Sequence, residues 1–257
     1  VHPKYETVFG RPCFPDLASV GRSVDVVFSA VSAERTIDLV EQAVAAGCGG
    51  LVTIAGGFAE TGPEGAELQE RMRQAAVAGG MPVVGPNGVG IINLARRLRL
   101  TMLPPFVARA GGVSVVAHSG AILGALAAAA NRAGGVGVNL MISAGNEAVT
   151  DMADYLDYLV DDPETRVIAL GIEKIRRPQA FFAAARRARE AGKPIMAIKL
   201  GRSARGLRMA ASHTGTLTGD AWTYEVAMSQ ANIQMAHDVD ELLDRVHVAA
   251  PAVVLDL

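Results

Sequence analysis

Short runs of β-branched and aliphatic residues alternate along this chain with longer stretches whose apolar positions recur at helical spacing. In the first part the pattern predicts strands over 24–31, 51–55 and 81–84, with helices over 33–46 and 64–78 between them. In the second part it predicts strands over 113–117, 136–142, 167–172 and 195–200. Helices over 121–132, 151–160 and 179–191 separate these strands, and a further helix is expected over 220–231. Strands that are apolar throughout need cover on both faces, and parallel neighbours need crossover helices. The expected class is therefore α/β, with two doubly wound parallel sheets. Pro104, Pro105, Gly111 and Gly112 interrupt the rhythm, which places a boundary between units 1–108 and 109–257.

Composition narrows the functional classes. A chain of 257 residues accommodates two ordinary domains with substantial cores. Its apolar runs stop well short of the ~20 residues that a membrane span requires. The segment around Val1, His2 and Pro3 shows no basic stretch followed by an apolar one, so no signal peptide is expected and a cytoplasmic location is. Cys13 and Cys48 lack metal-ligand or redox spacing, and no metal site is expected. A formal charge of −2 argues against a general binder of nucleic acid or anionic membrane.

The candidate chemistry lies in turns that follow predicted strands, where open α/β sheets bind ligands. These turns are Ala55-Gly56-Gly57-Phe58-Ala59-Glu60, Gly85-Pro86-Asn87-Gly88-Val89-Gly90, His118-Ser119-Gly120, Ser143-Ala144-Gly145-Asn146-Glu147, and the loop around Ser212-His213-Thr214-Gly215. A histidine among small residues has reach, and an imidazole nitrogen can carry a phosphoryl group between two sites. The same loop could instead be a helix entry capped by Ser212 or Thr214. Ser119-Gly120 could cap a helix or present N–H groups to phosphate, and Gly85-Pro86-Asn87-Gly88 also suits an ordinary turn. Lys199, Arg202, Arg205 and Arg208 recur every three residues, as a solvated face would or as a cluster steering phosphate would.

In chain order, Gly57-Phe58-Ala59-Glu60, Gly85-Pro86-Asn87 with Gly90-Ile91, Ser119-Gly120-Ala121, Gly145-Asn146-Glu147, the acidic turn 161–166, Gly171-Ile172-Glu173 and Ser212-His213-Thr214-Gly215 form an ordered set. From Val1 to about Arg245 the chain resembles the nucleoside-diphosphate-forming acyl-CoA synthetases, relatives of the succinyl-CoA synthetase α subunit. The resemblance implies a Rossmann-like CoA-binding domain followed by a flavodoxin-like ligase domain. It implies interconversion of acyl-CoA, phosphate and NDP with acid, coenzyme A and NTP, by way of an acyl phosphate and a phosphohistidine. By this resemblance His213 carries the phosphate and Glu173 orients and activates it. Ser119, Gly120, Gly145 and Asn146 bind phosphate, and Lys4, Val31, Ala55, Gly56 and Asn87 line the CoA and acyl site. ADP or GDP with Mg would be bound by an ATP-grasp β subunit or fused domain, and the assembly is expected to be oligomeric.

The chain also departs from the family's pattern. The family's first strand and glycine-rich turn are expected upstream of Val1, Gly88 stands where cysteine is common, and His118 stands where Gln or Arg is common. His118 could be a second phosphate contact or a strand-end residue. Gly124 is small where succinate enzymes are bulkier, which suggests a larger acid. The alternative is a non-catalytic acyl-CoA-binding regulatory or acetyltransferase-associated module. Such relatives are expected to have lost the histidine that this chain keeps at His213.

Overall fold

A computed structural model describes residues 1–106, 109–130, 136–200 and 221–250. A short antiparallel ribbon, β1 (Thr7–Val8) with β2 (Arg11–Pro12), precedes a three-stranded parallel sheet in the order β3 (Val27–Ser29), β4 (Leu51–Thr53), β5 (Val83–Val84). Helices α1 (Ala33–Ala45) and α2 (Pro63–Ala78) make its crossovers. On α1 the buried positions Ala33, Ile37, Val40 and Ala43 form one helical stripe, which packs with Leu51, Val83 and Met72.

The larger sheet has seven strands: β6 (Gly90–Asn93), β7 (Leu98–Thr101), β8 (Ala110–Ala117), β9 (Val138–Ser143), β10 (Val167–Ile172), β11 (Ile195–Lys199) and β12 (Ile233–Ala236). Their order is β12-β11-β10-β8-β9-β6-β7, and β8 to β12 are mutually parallel. Numbered from β8, the parallel part reads 2-1-3-4-5, the flavodoxin-like order, with its switch point between β8 and β10. Helices α3 (Gly120–Ala130) and α7 (Val239–Ala249) cover one face, and α4 (Met152–Asp161), α5 (Pro178–Glu190) and α6 (Ala221–Gln230) cover the other. Strand side chains divide with period two: Ile168, Leu170 and Ile172 join the core under α4 and α5, while Val167 and Ala169 join the core under α3 and α7.

Two features add to the expected α/β pattern. The larger sheet is mixed, because β6 runs antiparallel to β9 and β7 antiparallel to β6. Moreover, β6 and β7 precede the 108/109 boundary yet hydrogen-bond into the larger sheet rather than the small one. The connection between them is only residues 94–97, long enough for a hairpin and far too short for a crossover helix. Gly90 secures the pairing: its φ is +99°, and a Cβ there would lie 2.0 Å from the Leu100 carbonyl oxygen. Among the described residues no helix is long and apolar enough to cross a membrane.

Candidate functional site

The carboxyl ends of β4, β5, β8, β9 and β10 bring most of the predicted turns together. Ala55 and Asn87 are joined directly, since the Asn87 N–H donates to the Ala55 carbonyl at 2.8 Å. Asn87 has φ +56°, a left-handed conformation that asparagine tolerates better than most residues. The turn after β9 lies across this one. The Asn146 N–H donates to the Pro86 carbonyl at 2.8 Å and the Ala148 N–H to the Gly85 carbonyl at 3.1 Å. Gly145 allows that approach, because a Cβ on it would stand 2.0 Å from the Pro86 oxygen.

The side chains continue the network. Asn87 Nδ2 donates to Asn146 Oδ1 at 3.2 Å, and Asn146 Nδ2 donates to Glu60 Oε2 at 2.5 Å and Gln69 Oε1 at 2.9 Å. The other Glu60 oxygen accepts the N–H groups of Gly57 and Phe58 at 2.7 and 3.1 Å. One carboxylate therefore shapes the turn after β4 and fixes the amide orientation of Asn146. Gly56 lies in that turn, its absent Cβ 3.4 Å from Glu60 Oε1. Val31 sits just beyond β3 and is partly exposed. Lys4 lies in the exposed N-terminal segment, its N–H bonded to His2 Nδ1 at 3.2 Å, and no hydrogen bond or ion pair among the described residues joins it to the turns.

At the switch point, α3 begins at Gly120 immediately after Ser119, and the Leu123 N–H is the first in the helix to bond back, to the Ser119 carbonyl at 3.1 Å. The earlier N–H groups have no intrahelical acceptor and form the positive end of the helix dipole. A Cβ on Gly120 would meet Val89 Cγ1 at 2.4 Å, so glycine lets α3 approach the turn after β5. Ser143 Oγ, at the end of β9, is fully buried and has no hydrogen-bond partner among the described residues. It is a free polar group facing the turn of Gly88, whose absent Cβ would lie 3.1 Å from it.

His118 and Glu147 form a buried pair beneath these turns. His118 Nε2 stands 3.1 Å from Glu147 Oε1, with side-chain exposures of 1% and 0%. A buried carboxylate needs compensation, and Glu147 also accepts the Met152 N–H at 2.7 Å and has Arg176 Nε at 3.5 Å. His118 Nε2 nevertheless makes no aligned hydrogen bond among the described residues, so its link to Glu147 is one of proximity. Glu173 follows β10, and its backbone N–H donates to His118 Nδ1 at 3.3 Å. Lys174, next in the chain, is held below its ordinary pKa by burial, with Arg176 adding repulsion. His213 and the cations Arg202, Arg205 and Arg208 lie outside the described residues. Glu60 belongs to a turn the sequence singles out, but its bonds to Gly57, Phe58 and Asn146 and the part played by Gln69 were not foreseen. The local signal for Glu60 is a carboxylate three residues after Gly57, within reach of its N–H.

This geometry agrees with sequence relationships. The profile of a CoA-binding domain matches residues 1–93, and that of a succinyl-CoA-ligase-like flavodoxin domain matches residues 110–249. A trans-feruloyl-CoA synthase from an unknown prokaryotic organism is 36% identical over 255 residues, 97% of this chain and 36% of that protein. The α subunit of the ADP-forming acetate–CoA ligase II of Pyrococcus furiosus is 35% identical over 95% of this chain and 52% of its own length. Among solved structures, a Ca. Korarchaeum cryptofilum acetyl-coenzyme A synthetase, described as dinucleotide forming and in complex with phosphate and ADP, superposes with a TM-score of 0.88 at 34% identity. That match covers 95% of this chain and 52% of the other.

Fold and turns thus define a CoA-binding unit joined to a flavodoxin-like unit of the ligase type. The chain belongs to the family of NDP-forming acyl-CoA synthetases. It spans between about a third and a half of the length of the curated relatives it matches.

Proposed function

We propose that this chain is the α-type part of an NDP-forming acid–CoA ligase. A phosphate oxygen attacks the thioester carbonyl of an acyl-CoA, the CoA thiolate leaves, and an acyl phosphate forms. An imidazole nitrogen of His213 then takes the phosphoryl group and releases the carboxylate. Finally the phosphoryl group passes to ADP or GDP, held with Mg on an ATP-grasp β subunit or fused domain. Such an assembly would be oligomeric and cytoplasmic.

The observation that carries this proposal is the convergence at the β8/β10 switch point. The unpaired N–H groups of α3 and the carboxylate-bearing Glu173 emerge there from adjacent strands, with Gly171 opposite Ala117 in register. Donors fixed in a helix end stabilise phosphate and developing oxyanion charge without reorganisation. The residues suit the ligands: the α3 donors offer hydrogen bonds to phosphate and acyl oxygens, and Asn87, bonded to Asn146, stands in the adjacent turn. Gly124 lies on α3 with Leu103 Cδ2 3.8 Å from where a Cβ would stand, and the small residue at this position supports a larger acid.

The test is phosphorylation of the complete protein, with its ATP-grasp part, from acyl-CoA and radiolabelled phosphate, comparing acetyl-CoA with feruloyl-CoA. Acid-labile, base-stable label is expected on His213, and it is expected to vanish in His213→Ala. Label retained in that variant would overturn the mechanism. Ligase turnover without any phosphoprotein would do the same.

A further inference from the structure

The parallel ladder between β8 and β10 ends at a particular point. His118 donates its backbone N–H to the Gly171 carbonyl at 3.1 Å, and the chain then turns into α3. The next N–H on the β10 side belongs to Glu173. Instead of a backbone carbonyl it finds the imidazole of His118, whose Nδ1 lies 3.3 Å away. On the other side, the Glu173 carbonyl accepts from Lys199 Nζ at 2.8 Å, where β11 ends opposite Ile172. The peptide that carries the Glu173 carboxylate is therefore held at both polar groups by side chains from the two neighbouring strand ends.

To accept the Glu173 N–H, His118 must leave Nδ1 unprotonated and carry its proton on Nε2. Although His118 Nε2 makes no aligned hydrogen bond among the described residues, Glu147 favours that choice by charge and proximity. Its Oε1 faces Nε2 at 3.1 Å, and its position is set by the Met152 N–H at the start of α4. Gly171 O also lies 3.3 Å from Nδ1, so the opposite tautomer would donate there and strand the Glu173 N–H. We propose that the buried His118–Glu147 pair is a positioning device for Glu173, fixing the peptide from which this carboxylate reaches the phosphoryl-carrying histidine. The proposal rests on the phosphoryl-transfer role given to Glu173 above.

Two substitutions isolate the contact. His118→Asn places Oδ1 where Nδ1 stands, whereas His118→Leu supplies no acceptor, and both remove the same donor from Glu147. In the complete enzyme the Leu variant is expected to lose about 10- to 100-fold in kcat relative to the Asn variant, with KM for acyl-CoA within about twofold. Equal kcat in the two variants, or a loss confined to KM, would overturn the proposal. Imidazole 15N chemical shifts of the unsubstituted protein test the geometry without relying on either variant's folding. The Nε2-protonated tautomer is expected, and the Nδ1-protonated one would overturn the proposal. A wild-type enzyme with no ligase turnover would refute the proposed function while leaving the tautomer measurement to decide this inference.

Discussion

Asn146 shows how much one side chain can organise. It is almost fully buried, donates to Glu60 and Gln69, and accepts from Asn87, so its amide orientation is fixed by partners on two other turns. Asn146→Asp would replace the donor with a second carboxylate at the 2.5 Å contact with Glu60. The expected outcome is a loss of about 1–3 kcal/mol in urea unfolding at neutral pH, because buried like charges and an unmet acceptor both cost stability. Unchanged stability would mean that the contact carries no weight. At this scale the sequence was legible where a residue type advertises itself. Asn87, Ser119, Gly120 and Asn146 stand out as turn residues after strands; Asn87 and Asn146 are hydrogen-bonded, and Gly120 packs against Val89 two residues on from Asn87. The partners were not legible, since Glu60 lies 86 residues from Asn146 and His118 lies 55 from Glu173. No local pattern encodes such meetings; the strand order creates them.

Element by element, periodicity was a good guide wherever strands were apolar on both faces and helices long. It missed β6, β7 and β12, which have four residues each and mix polar or charged positions into the run, as in Leu98-Arg99-Leu100-Thr101, and it also missed the ribbon β1–β2 and the eleven-residue α7. Among helices, α4 has the most explicit start signal. Asp151 caps it by accepting the N–H groups of Ala153 and Asp154, and Asp154 returns a carboxylate to the Asp151 N–H. Arg177, just before α5, binds both Asp151 oxygens at 2.6 and 2.8 Å and ties the two helix starts together. Burial pushes the Asp151 carboxyl up, but the Arg177 and backbone hydrogen bonds outweigh it and hold it below its ordinary value. A carboxyl depressed in the folded state adds stability above its unfolded pKa, and this is lost as pH falls through the folded one. Asp151→Ala is therefore expected to cost about 0.5–2 kcal/mol at neutral pH. The deficit should shrink on acidification below the usual carboxylate range. Paired denaturant titrations across that range measure it, and a deficit independent of pH would exclude the linkage.

For the whole molecule, the decisive feature is how the two sheets are joined. The segment from Ala144 to Thr150 leaves the end of β9 and lies along the ends of the small sheet. Thr150 Oγ1 donates to the Val83 carbonyl at 2.6 Å, and Ala148 is buried in the same apolar cluster as Val83 and Phe58. The turn after β9 and the turn after β5 are thus one packed unit, which suits the proposed reaction, whose thioester and phosphate must meet. Gly145 is the point of closest approach. Its φ of +59° is one that residues with a Cβ rarely adopt, and a Cβ there would be 2.0 Å from the Pro86 oxygen and 3.0 Å from the Asn87 carbonyl carbon. The neighbours in Gly145→Ala are backbone atoms and cannot rotate away, so the strap must lift from the turn. Overpacking of this kind costs about 1–3 kcal/mol, and here the cost falls on the contact between the two sheets. Calorimetry of Gly145→Ala is therefore expected to show the small-sheet unit melting ahead of the large one, against a single transition expected for the unsubstituted protein. If the variant kept a single transition at the original temperature, the strap would not be what couples the two sheets.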